Sequence, residues 1–370
     1  MKKILFISNT SRSLFNYRRW LICDLLKLGY DVTLACNYDD YIDELKKFDL
    51  PIIELDFSRR DKNPLEALKA IWAIRKIVLS EQWEVVQTTT IKPNLYTAMA
   101  CIGTNIRLYS MVTGLGVAMD CKRKSIKFGL FKILYRVIGA QSTKVFVQGL
   151  NNTSFLVRND YVLEDKITTI NGSGVDLDYF YKSEFPPCVE EVKLIFAGRL
   201  LKSKGVPDIV DLVREANVLG YKCSLKLFGR VEEASSDSIT EEELVQFKNI
   251  LGVSVESETK DIRKHIAQSH CLVLLTKYGE GIPKSLLEAS SMQRVVLVSD
   301  ADTCIELVKD NHNGYVLSEK NGKFSVDEFC SFLARRNEYQ RVAKQARTVV
   351  EKSYSCNSVN KIIIDEYANI

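Results

Sequence analysis

Residues 192–205 read VKLIFAGRLLKSKG, and this stretch shows the pattern on which the fold of the chain depends. Its first six residues form a short, mostly apolar run, which is typical of a strand buried on both faces of a parallel sheet. The run ends at Gly198, and basic residues follow at once. Similar runs alternate with helical patterns along the chain, beginning with KILFIS at residues 3–8. This alternation predicts α/β structure built on parallel sheets.

The series of apolar runs starts twice, once at KILFIS and again at VKLIFAG. At 370 residues and 46 % hydrophobic content, the chain is too long for one compact core. An aperiodic segment, NGSGVDLDYFYKSEFPPC at 171–188, separates the two series. We therefore expect a first domain over 1–171 and a second over 172–354, with a last helix at 355–370 returning to the first.

Composition excludes several classes of protein. Charged residues make up 26 % and the formal net charge is only +4, which argues against disorder and against a nucleic-acid-coating protein. The ten cysteines show no CxxC pairing and resemble reduced core thiols. The first apolar run covers only Ile4–Ile7, and no stretch approaches the ~18 apolar residues of a membrane span. A cytoplasmic protein with at most peripheral membrane contact is predicted.

The loop after the strand at 192–197 carries two cations, Arg199 and Lys204, just beyond Gly198. Ligands of open parallel sheets bind where strands end and helices begin. A guanidinium fork and an ammonium group suit a diphosphate whose negative charge grows as it leaves. A basic surface loop with no ligand is the alternative interpretation.

A second loop follows the run CLVLL at 271–275. It places Glu280 between Gly279 and Gly281, and Pro283 then marks the start of a helix. Glu280 has no evident structural role between two glycines. The backbone N–H groups expected to point at an anion belong to Lys284, Ser285 and Leu286.

Glu288 follows about one turn into that helix, where its carboxylate can accept hydrogen bonds from ribose hydroxyls. An ordinary solvated helix carboxylate is the alternative. Further back, Asp237, Ser238 and Thr240 precede Glu241–Glu243 and predict another helix start.

The first domain gives weaker signals. Ser8–Ser13 replace the glycine-rich turn of many nucleotide-binding proteins, and MVTGLG places Thr113 and Gly114 after a strand, unless that stretch is a plain glycine turn. The chain lacks GxGxxG and the Walker lysine motif, which argues against a Rossmann dehydrogenase and a P-loop NTPase. The three histidines form no zinc pattern, and Asp300-Ala301-Asp302 is interpreted as a strand-end cap rather than a metal site.

Residues 121–144 carry seven basic residues and no acid, with two apolar stripes at helical spacing. One stripe can face the core while the other, over 121–138, rests on an anionic membrane surface. A core helix with a solvated basic face remains the alternative.

In order along the chain, GRLLKSKG (198–205) and EGIPKSLLE (280–288) resemble retaining glycosyltransferase family 4, which has the GT-B fold. The segments SNTSRSLFNYR, TIKPN, VTGLG and SGVDLDYF resemble the bacterial branch that builds lipid-linked surface polysaccharides. The resemblance covers nearly the whole chain. It implies two Rossmann-like domains facing a central cleft.

The resemblance also implies roles for matching residues. Arg199 and Lys204 hold the donor diphosphate, Glu288 the ribose, and Glu280 the transferred sugar. Other donor-binding residues are Gly198, Gly281, Ile282, Pro283, Lys284, Ser285 and Leu286. Weaker acceptor-side candidates are Asn9, Ser13, Asn16, Thr113 and Gly114. The reaction retains anomeric configuration with no metal or cofactor, and the departing phosphate takes the acceptor proton.

One departure from the family is that Thr113 stands where many members have a histidine, and the first histidine of the chain is His265. The main hypothesis is transfer of an N-acetylhexosamine or related hexose from a UDP-sugar to a lipid-linked saccharide, in O-antigen or capsule-type synthesis. The alternatives are a non-catalytic nucleotide-sugar-binding component of an assembly complex and a GT-B-fold UDP-sugar epimerase. No nucleic-acid partner is expected.

Overall fold

The computed structural model describes residues 2–57, 64–116, 125–187, 190–232, 235–277 and 279–368. The chain forms two compact units, the first made of Met1–Ser173 with Cys356–Ile370 and the second of Gly174–Ser355. Both are α/β units with parallel sheets. The predicted fold class is therefore confirmed.

The first unit contains a sheet of seven described strands in the order β3-β2-β1-β4-β5-β6-β7, all parallel. The strands are β1 (Lys3–Ile7), β2 (Asp31–Cys36), β3 (Ile52–Glu54), β4 (Val85–Thr89), β5 (Leu108–Val112), β6 (Lys144–Gln148) and β7 (Ile167–Ile170). The helices are α1 (Ser11–Lys27), α2 (Ile42–Lys46), α3 (Pro64–Ser80), α4 (Ile91–Ala100), α5 (Ile126–Gln141) and α6 (Leu150–Arg158). Strands are added towards one side of the sheet from β1 to β3 and towards the other side from β4 to β7, so the switch point, where ligands of such sheets bind, lies between β1 and β4.

Strand β1 shows why its sequence is apolar on both sides. Ile4 and Phe6 pack in one core cluster with Leu21 of α1. Leu5 and Ile7 point the other way and pack with Ile74 of α3. Successive side chains of a strand alternate between faces, so covering both faces with helices requires a continuous apolar run.

The second unit repeats this plan in the order β10-β9-β8-β11-β12-β13. Its strands are β8 (Val192–Ala197), β9 (Cys223–Phe228), β10 (Val253–Glu256), β11 (Cys271–Leu274), β12 (Val295–Ser299) and β13 (Tyr315–Leu317), with a separate antiparallel pair, β14 (Glu319–Lys320) and β15 (Lys323–Phe324). Its helices are α7 (Val206–Val218), α8 (Glu241–Lys248), α9 (Arg263–Ala267), α10 (Lys284–Ser291), α11 (Asp302–Leu307), α12 (Val326–Ala334) and α13 (Tyr339–Ser353). Here the switch point lies between β8 and β11, the two strands followed by the predicted donor loops.

The last helix, α14 (Cys356–Ala368), belongs to the first unit. Asn360 donates a 2.8 Å hydrogen bond to the Asp24 carboxylate of α1, and the Tyr367 hydroxyl donates to Gln87 Oε1 of β4 at 2.6 Å. Val359 and Ile363 are buried in the same core cluster as α1. The end of the chain thus covers one face of the first sheet.

No helix within the described ranges is long and apolar enough to cross a bilayer.

Candidate active site

The loops at the switch point of the second sheet approach one another so closely that two positions require glycine. Gly205 has φ of +73°, and a Cβ atom there would lie 2.2 Å from the carbonyl oxygen of Leu275, just after β11. A Cβ atom on Gly229 would lie 1.8 Å from the carbonyl oxygen of Gly198, just after β8. No side chain fits at either place. The backbones that follow β8, β9 and β11 are therefore packed against each other.

Lys204 and Glu280 meet at this switch point. Lys204 Nζ lies 3.0 Å from Glu280 Oε2, and the two side chains are only 13 % and 19 % exposed. The residues are 76 positions apart in sequence, so the sheet topology brings them together. Partial burial weakens solvent screening of the pair. A cation and an acid are thus fixed side by side where the two loops converge.

Further bonds hold the loop after β8 in place. The Ser203 hydroxyl and backbone N–H both donate to the Asp237 carboxylate, and Lys202 N–H donates to the Asp237 carbonyl at 2.8 Å. Lys277 N–H, from the loop after β11, donates to the Ser203 carbonyl at 2.7 Å. Asp237 thereby positions the turn that carries Lys204.

The helix start predicted ahead of Glu241 is confirmed, with a correction. Thr240 caps α8, because its hydroxyl accepts from Glu243 N–H at 3.2 Å and its own N–H donates to the Glu243 carboxylate at 2.8 Å. Asp237 and Ser238 do not cap the helix. Asp237 binds the loop after β8, and the Ser238 hydroxyl accepts from Glu232 N–H at 2.8 Å.

Helix α10 begins at Lys284 with Pro283 as its N-cap residue. Ile282 and Pro283 are buried, so the entry to the helix is rigid. The expectation that Leu286 N–H lacks an internal partner is wrong, since it donates to the Pro283 carbonyl at 3.2 Å. The Pro283 carbonyl closes a tight first turn, which the sequence pattern did not reveal.

Glu288 lies one turn into α10 and is only 14 % exposed, so it is not an ordinary solvated carboxylate. Lys284 Nζ lies 3.7 Å from Glu288 Oε1 and is similarly shielded. The i,i+4 spacing places the two side chains on one face of the helix. Glu288 is thus a second shielded acid, eight residues after Glu280, on the helix that follows the Glu280 loop.

Arg199 is exposed directly after β8. Among the residues that the structure describes, its guanidinium has no ion-pair partner. The Arg199 guanidinium is therefore in contact with solvent and is not paired with an internal carboxylate. The nearby Asp300-Ala301-Asp302 sequence follows β12, where Asp300 N–H donates to Leu317 O at 3.2 Å and Asp302 begins α11.

After the carboxyl end of β1, Asn9 lies in the β1–α1 junction, and Ser13 and Asn16 lie in α1, all half-buried. The amide groups of this junction are bonded internally. Arg12 N–H donates to the Asp39 carboxylate at 3.0 Å, the Ser11 hydroxyl also donates to it, and Ser13 N–H donates to Thr10 Oγ1 at 3.1 Å. Asp39 thus takes the place that a phosphate has in glycine-rich loops. Sequence reasoning missed it, although an acid shortly after the neighbouring strand β2 was a usable signal.

Thr113 and Gly114 are half-buried directly after β5. The neighbouring TIKPN segment has a structural role, because Asn94 Nδ2 donates to the Met111 carbonyl at 2.8 Å and Thr88 donates to Asn94 Oδ1 at 2.7 Å. Thr90, at the N-cap of α4, has φ of +72° and ψ of 159°, a region nearly restricted to glycine. Its hydroxyl oxygen is buried without a hydrogen-bond partner among the described residues. Sequence reasoning gave no sign of this strain.

Two family models match the chain, one on each unit. Residues 3–149 match the model described as Glycosyl transferase 4-like, and residues 181–349 match that of Glycosyl transferases group 1. The chain is a glycosyltransferase with the GT-B fold, made of a 4-like first domain and a group 1 second domain. The resemblance drawn from GRLLKSKG and EGIPKSLLE is thereby confirmed.

This glycosyltransferase is also similar to known proteins over most of its length. It is 25 % identical over 363 residues to the N,N'-diacetylbacillosaminyl-diphospho-undecaprenol alpha-1,3-N-acetylgalactosaminyltransferase of Campylobacter jejuni, with 93 % of each chain covered. It is 19 % identical to the capsular polysaccharide biosynthesis glycosyltransferase CapM of Staphylococcus aureus, covering 84 % of this chain and 83 % of that protein. The structure of Anabaena HepE in complex with UDP and glucose has a TM-score of 0.80 at 14 % identity, with all of both chains covered. The last likeness concerns the fold alone.

Proposed function

We propose that this glycosyltransferase moves an N-acetylhexosamine or related hexose from a UDP-sugar to a lipid-linked saccharide in bacterial surface polysaccharide synthesis. The observation that carries the proposal is the shielded Lys204–Glu280 pair at the switch point of the second sheet. The Campylobacter jejuni relative, an N-acetylgalactosaminyltransferase that acts on a diphospho-undecaprenol-linked sugar by its name, supports the sugar and acceptor class. The UDP bound to Anabaena HepE supports the donor nucleotide.

Arg199 and Lys204 would hold the donor diphosphate in this reaction. The bond between the anomeric carbon and the β-phosphate oxygen breaks, and a bond from the acceptor hydroxyl to that carbon forms on the same face. The acceptor proton passes to the departing phosphate. Two cations stabilise the charge that develops on this phosphate, so catalysis rests on position and electrostatics and uses no metal or cofactor.

Glu280 and Glu288 would recognise the two sugars of the donor. Glu280, held at 3.0 Å by Lys204, accepts hydrogen bonds from hydroxyls of the transferred sugar. Glu288, shielded beside Lys284, accepts from the ribose hydroxyls. Each carboxylate has a cation beside it, and carboxylate oxygens are strong acceptors for hydroxyl donors.

The first unit offers no imidazole base, since the first histidine is His265. Thr113, which stands in the place of the family histidine, does not deprotonate near neutral pH. Proton transfer to the leaving phosphate is consistent with this set of residues. Thr113, Gly114, Asn9, Ser13 and Asn16 would then bind the acceptor rather than activate it.

Contact with an anionic membrane through residues 121–138 is part of the proposal, of which 121–124 lie outside the described residues. On α5, Phe128, Phe131 and Tyr135 pack towards the core, whereas Ile126 is 92 % exposed. The exposed stripe continues with Leu130 and Ile133 among basic residues. A cytoplasmic enzyme docked in this way would reach a lipid-linked acceptor.

A donor screen tests the proposal. Purified enzyme with bacterial lipid extract and a panel of UDP-sugars is expected to release UDP and form a glycolipid with one donor. Glu280→Gln is expected to lose about 10²–10³ in kcat/KM with that donor, whereas Glu215→Gln, on the exposed side of α7, is the control and is expected to retain activity. UDP binding without turnover would favour the non-catalytic alternative. A new free UDP-sugar would favour the epimerase.

A further inference from the structure

Lys277 lies in the loop after β11, three residues before Glu280, and makes contacts that the proposed reaction does not use. Its backbone N–H donates a hydrogen bond to the loop after β8. Its ammonium group contacts α7 and the antiparallel pair of β14 and β15, which we call the hairpin. One side chain thus connects three segments of the second unit around the loop that carries Glu280.

The backbone near Lys277 fixes the loop after β11 to the turn that carries Lys204. Lys277 N–H donates to the Ser203 carbonyl at 2.7 Å. One residue earlier, the Thr276 carbonyl accepts a 2.6 Å hydrogen bond from the Ser299 hydroxyl at the end of β12. The start of this loop is therefore bonded both to the turn after β8 and to the end of β12.

The ammonium group extends this link to the start of α7. Lys277 Nζ lies 3.3 Å from Asp208 Oδ1, and Asp208 is in the first turn of that helix. Helix α7 begins directly after Gly205, so the Lys204 turn leads straight into it. Lys277 therefore binds on both sides of Lys204, through its backbone at Ser203 and through its side chain at Asp208.

The hairpin supplies the remaining contacts of the ammonium group. Lys277 Nζ donates to the Gly322 carbonyl at 3.3 Å and lies 3.7 Å from Glu319 Oε1. The centre of the Phe324 ring is 5.4 Å from the same nitrogen, and β15 packs against α7. An ammonium group shared by two carboxylates, a carbonyl and an aromatic face has few other places to go.

These contacts suit a positioning role better than a stabilising one. The Lys277 side chain is 31 % exposed, and partly exposed ion pairs contribute little to the free energy of unfolding. A contact that couples three segments still restricts where each of them lies. Activity is sensitive to such restriction, because a misplacement of about 1 Å at a substrate-binding group can cost up to about 10²-fold in rate.

We propose that Lys277 is a positioning residue that holds Glu280 against Lys204 by tying their two loops to α7 and the hairpin. This rests on the proposed function in one respect, the assignment of Glu280 to the transferred sugar. Lys277 acts through Glu280 and not on the substrate. Free UDP lacks the transferred sugar, so we expect loss of the Lys277 ammonium group to lower turnover of a UDP-sugar and to spare UDP binding.

Lys277→Met tests this role, because methionine keeps an unbranched stem and removes the ammonium group. We expect kcat/KM for the UDP-sugar to fall about tenfold while the Kd of UDP stays within about a factor of two. Lys277→Arg, which keeps the positive charge, is expected to restore most of the activity. Lys320→Met is the matched control, because Lys320 lies in the same hairpin but is 69 % exposed and pairs with Glu328. It is expected to retain activity.

A double-mutant cycle separates positioning from general damage to the second unit. In a Glu280→Gln background, Lys277→Met is expected to lower kcat/KM by less than about twofold, because the group through which it acts has been removed. The same tenfold loss in both backgrounds would overturn the proposal. A loss of UDP affinity as large as the loss of kcat/KM would overturn it as well.

Hydrogen exchange detects the position of the loop without turnover. Amides in residues 279–288 are expected to exchange faster in Lys277→Met than in wild type, and at the wild-type rate in Lys320→Met. Wild-type exchange in Lys277→Met would overturn the positioning role whether or not the enzyme transfers sugar. Faster exchange in the variant of an enzyme that neither binds UDP nor transfers sugar would count against the proposed function alone.

Discussion

The two sheets have the same strand order around their switch points, yet the loops at these points differ. In the second unit, the loops after β8 and β11 bring together a shielded cation and acid, Lys204 and Glu280. In the first unit, the loop after β1 bonds its amides to Asp39 and Thr10. The same architecture thus places a shielded ion pair at the switch point of one unit and a self-satisfied junction at that of the other. The difference comes from which side chains follow the strands.

The largest effect is expected when the ion pair between Lys204 and Glu280 is removed. Lys204→Ala removes a diphosphate cation and the ammonium group that lies 3.0 Å from the Glu280 carboxylate, so we expect kcat/KM to fall by about 10²–10³. Lys202→Ala is the control, because Lys202 lies in the same turn but is exposed and pairs with Glu243. Steady-state kinetics of UDP release checks both. Equal losses in the two variants would mean that only the general charge of the loop matters.

The junction of the first unit is tested by Asp39→Ala. This change removes the acceptor for Arg12 N–H, Tyr41 N–H and the Ser11 hydroxyl, and we expect it to lower the free energy of unfolding by about 2–3 kcal/mol. UDP affinity is expected to stay within a factor of two. Urea unfolding and calorimetry measure the two quantities. A large change in UDP affinity would show that this junction takes part in donor binding.

The strain at Thr90 predicts an effect of opposite sign. Glycine adopts φ of +72° freely, and the Thr90 side chain makes no capping bond, so Thr90→Gly is expected to raise the free energy of unfolding by about 1 kcal/mol. Thermal unfolding checks the change. A loss of stability would show that the threonine side chain contributes packing worth more than the strain.

The smallest effect is expected in the pH dependence of stability. It concerns His270, which directly precedes β11, at the end of the strand away from the loop that carries Glu280. His270 accepts a hydrogen bond from Lys193 N–H at 2.8 Å, and burial lowers its pKa below the ordinary 6.5. The unfolded chain therefore binds a proton more readily, and stability is lost as pH falls below about 6.5 towards the lower folded pKa. We expect His270→Gln to flatten this part of the stability profile. If the free energy of unfolding of the variant fell with pH as steeply as that of wild type, the pH dependence would come from other groups.

The positions of the loops after β8 and β11 could be predicted from sequence because their signals are local. A strand, a glycine and cations or acids follow one another directly at Gly198 and Glu280. What could not be predicted depends on topology. The contact between Lys204 and Glu280 joins residues 76 positions apart, Asp39 acts on a helix from the neighbouring strand, and the bond of Leu286 N–H depends on the exact turn at Pro283.

The backbone of Thr90 shows a second limit. A threonine in a sequence carries no mark of a positive φ, because that angle is imposed by the packing of β4 and α4. The orientation of α3 shows the same limit. Its apolar residues are visible in the sequence, but only burial of Ile74 and Val78 shows which side of the helix faces the sheet.

Hydrogen exchange with and without UDP tests most directly the claim that the edge of the second sheet is the donor site. The account predicts UDP-dependent protection of amides in residues 198–205 and 279–288, with no change at residues 8–16. Protection confined to residues 8–16, or absent from both loops of the second unit, would contradict it.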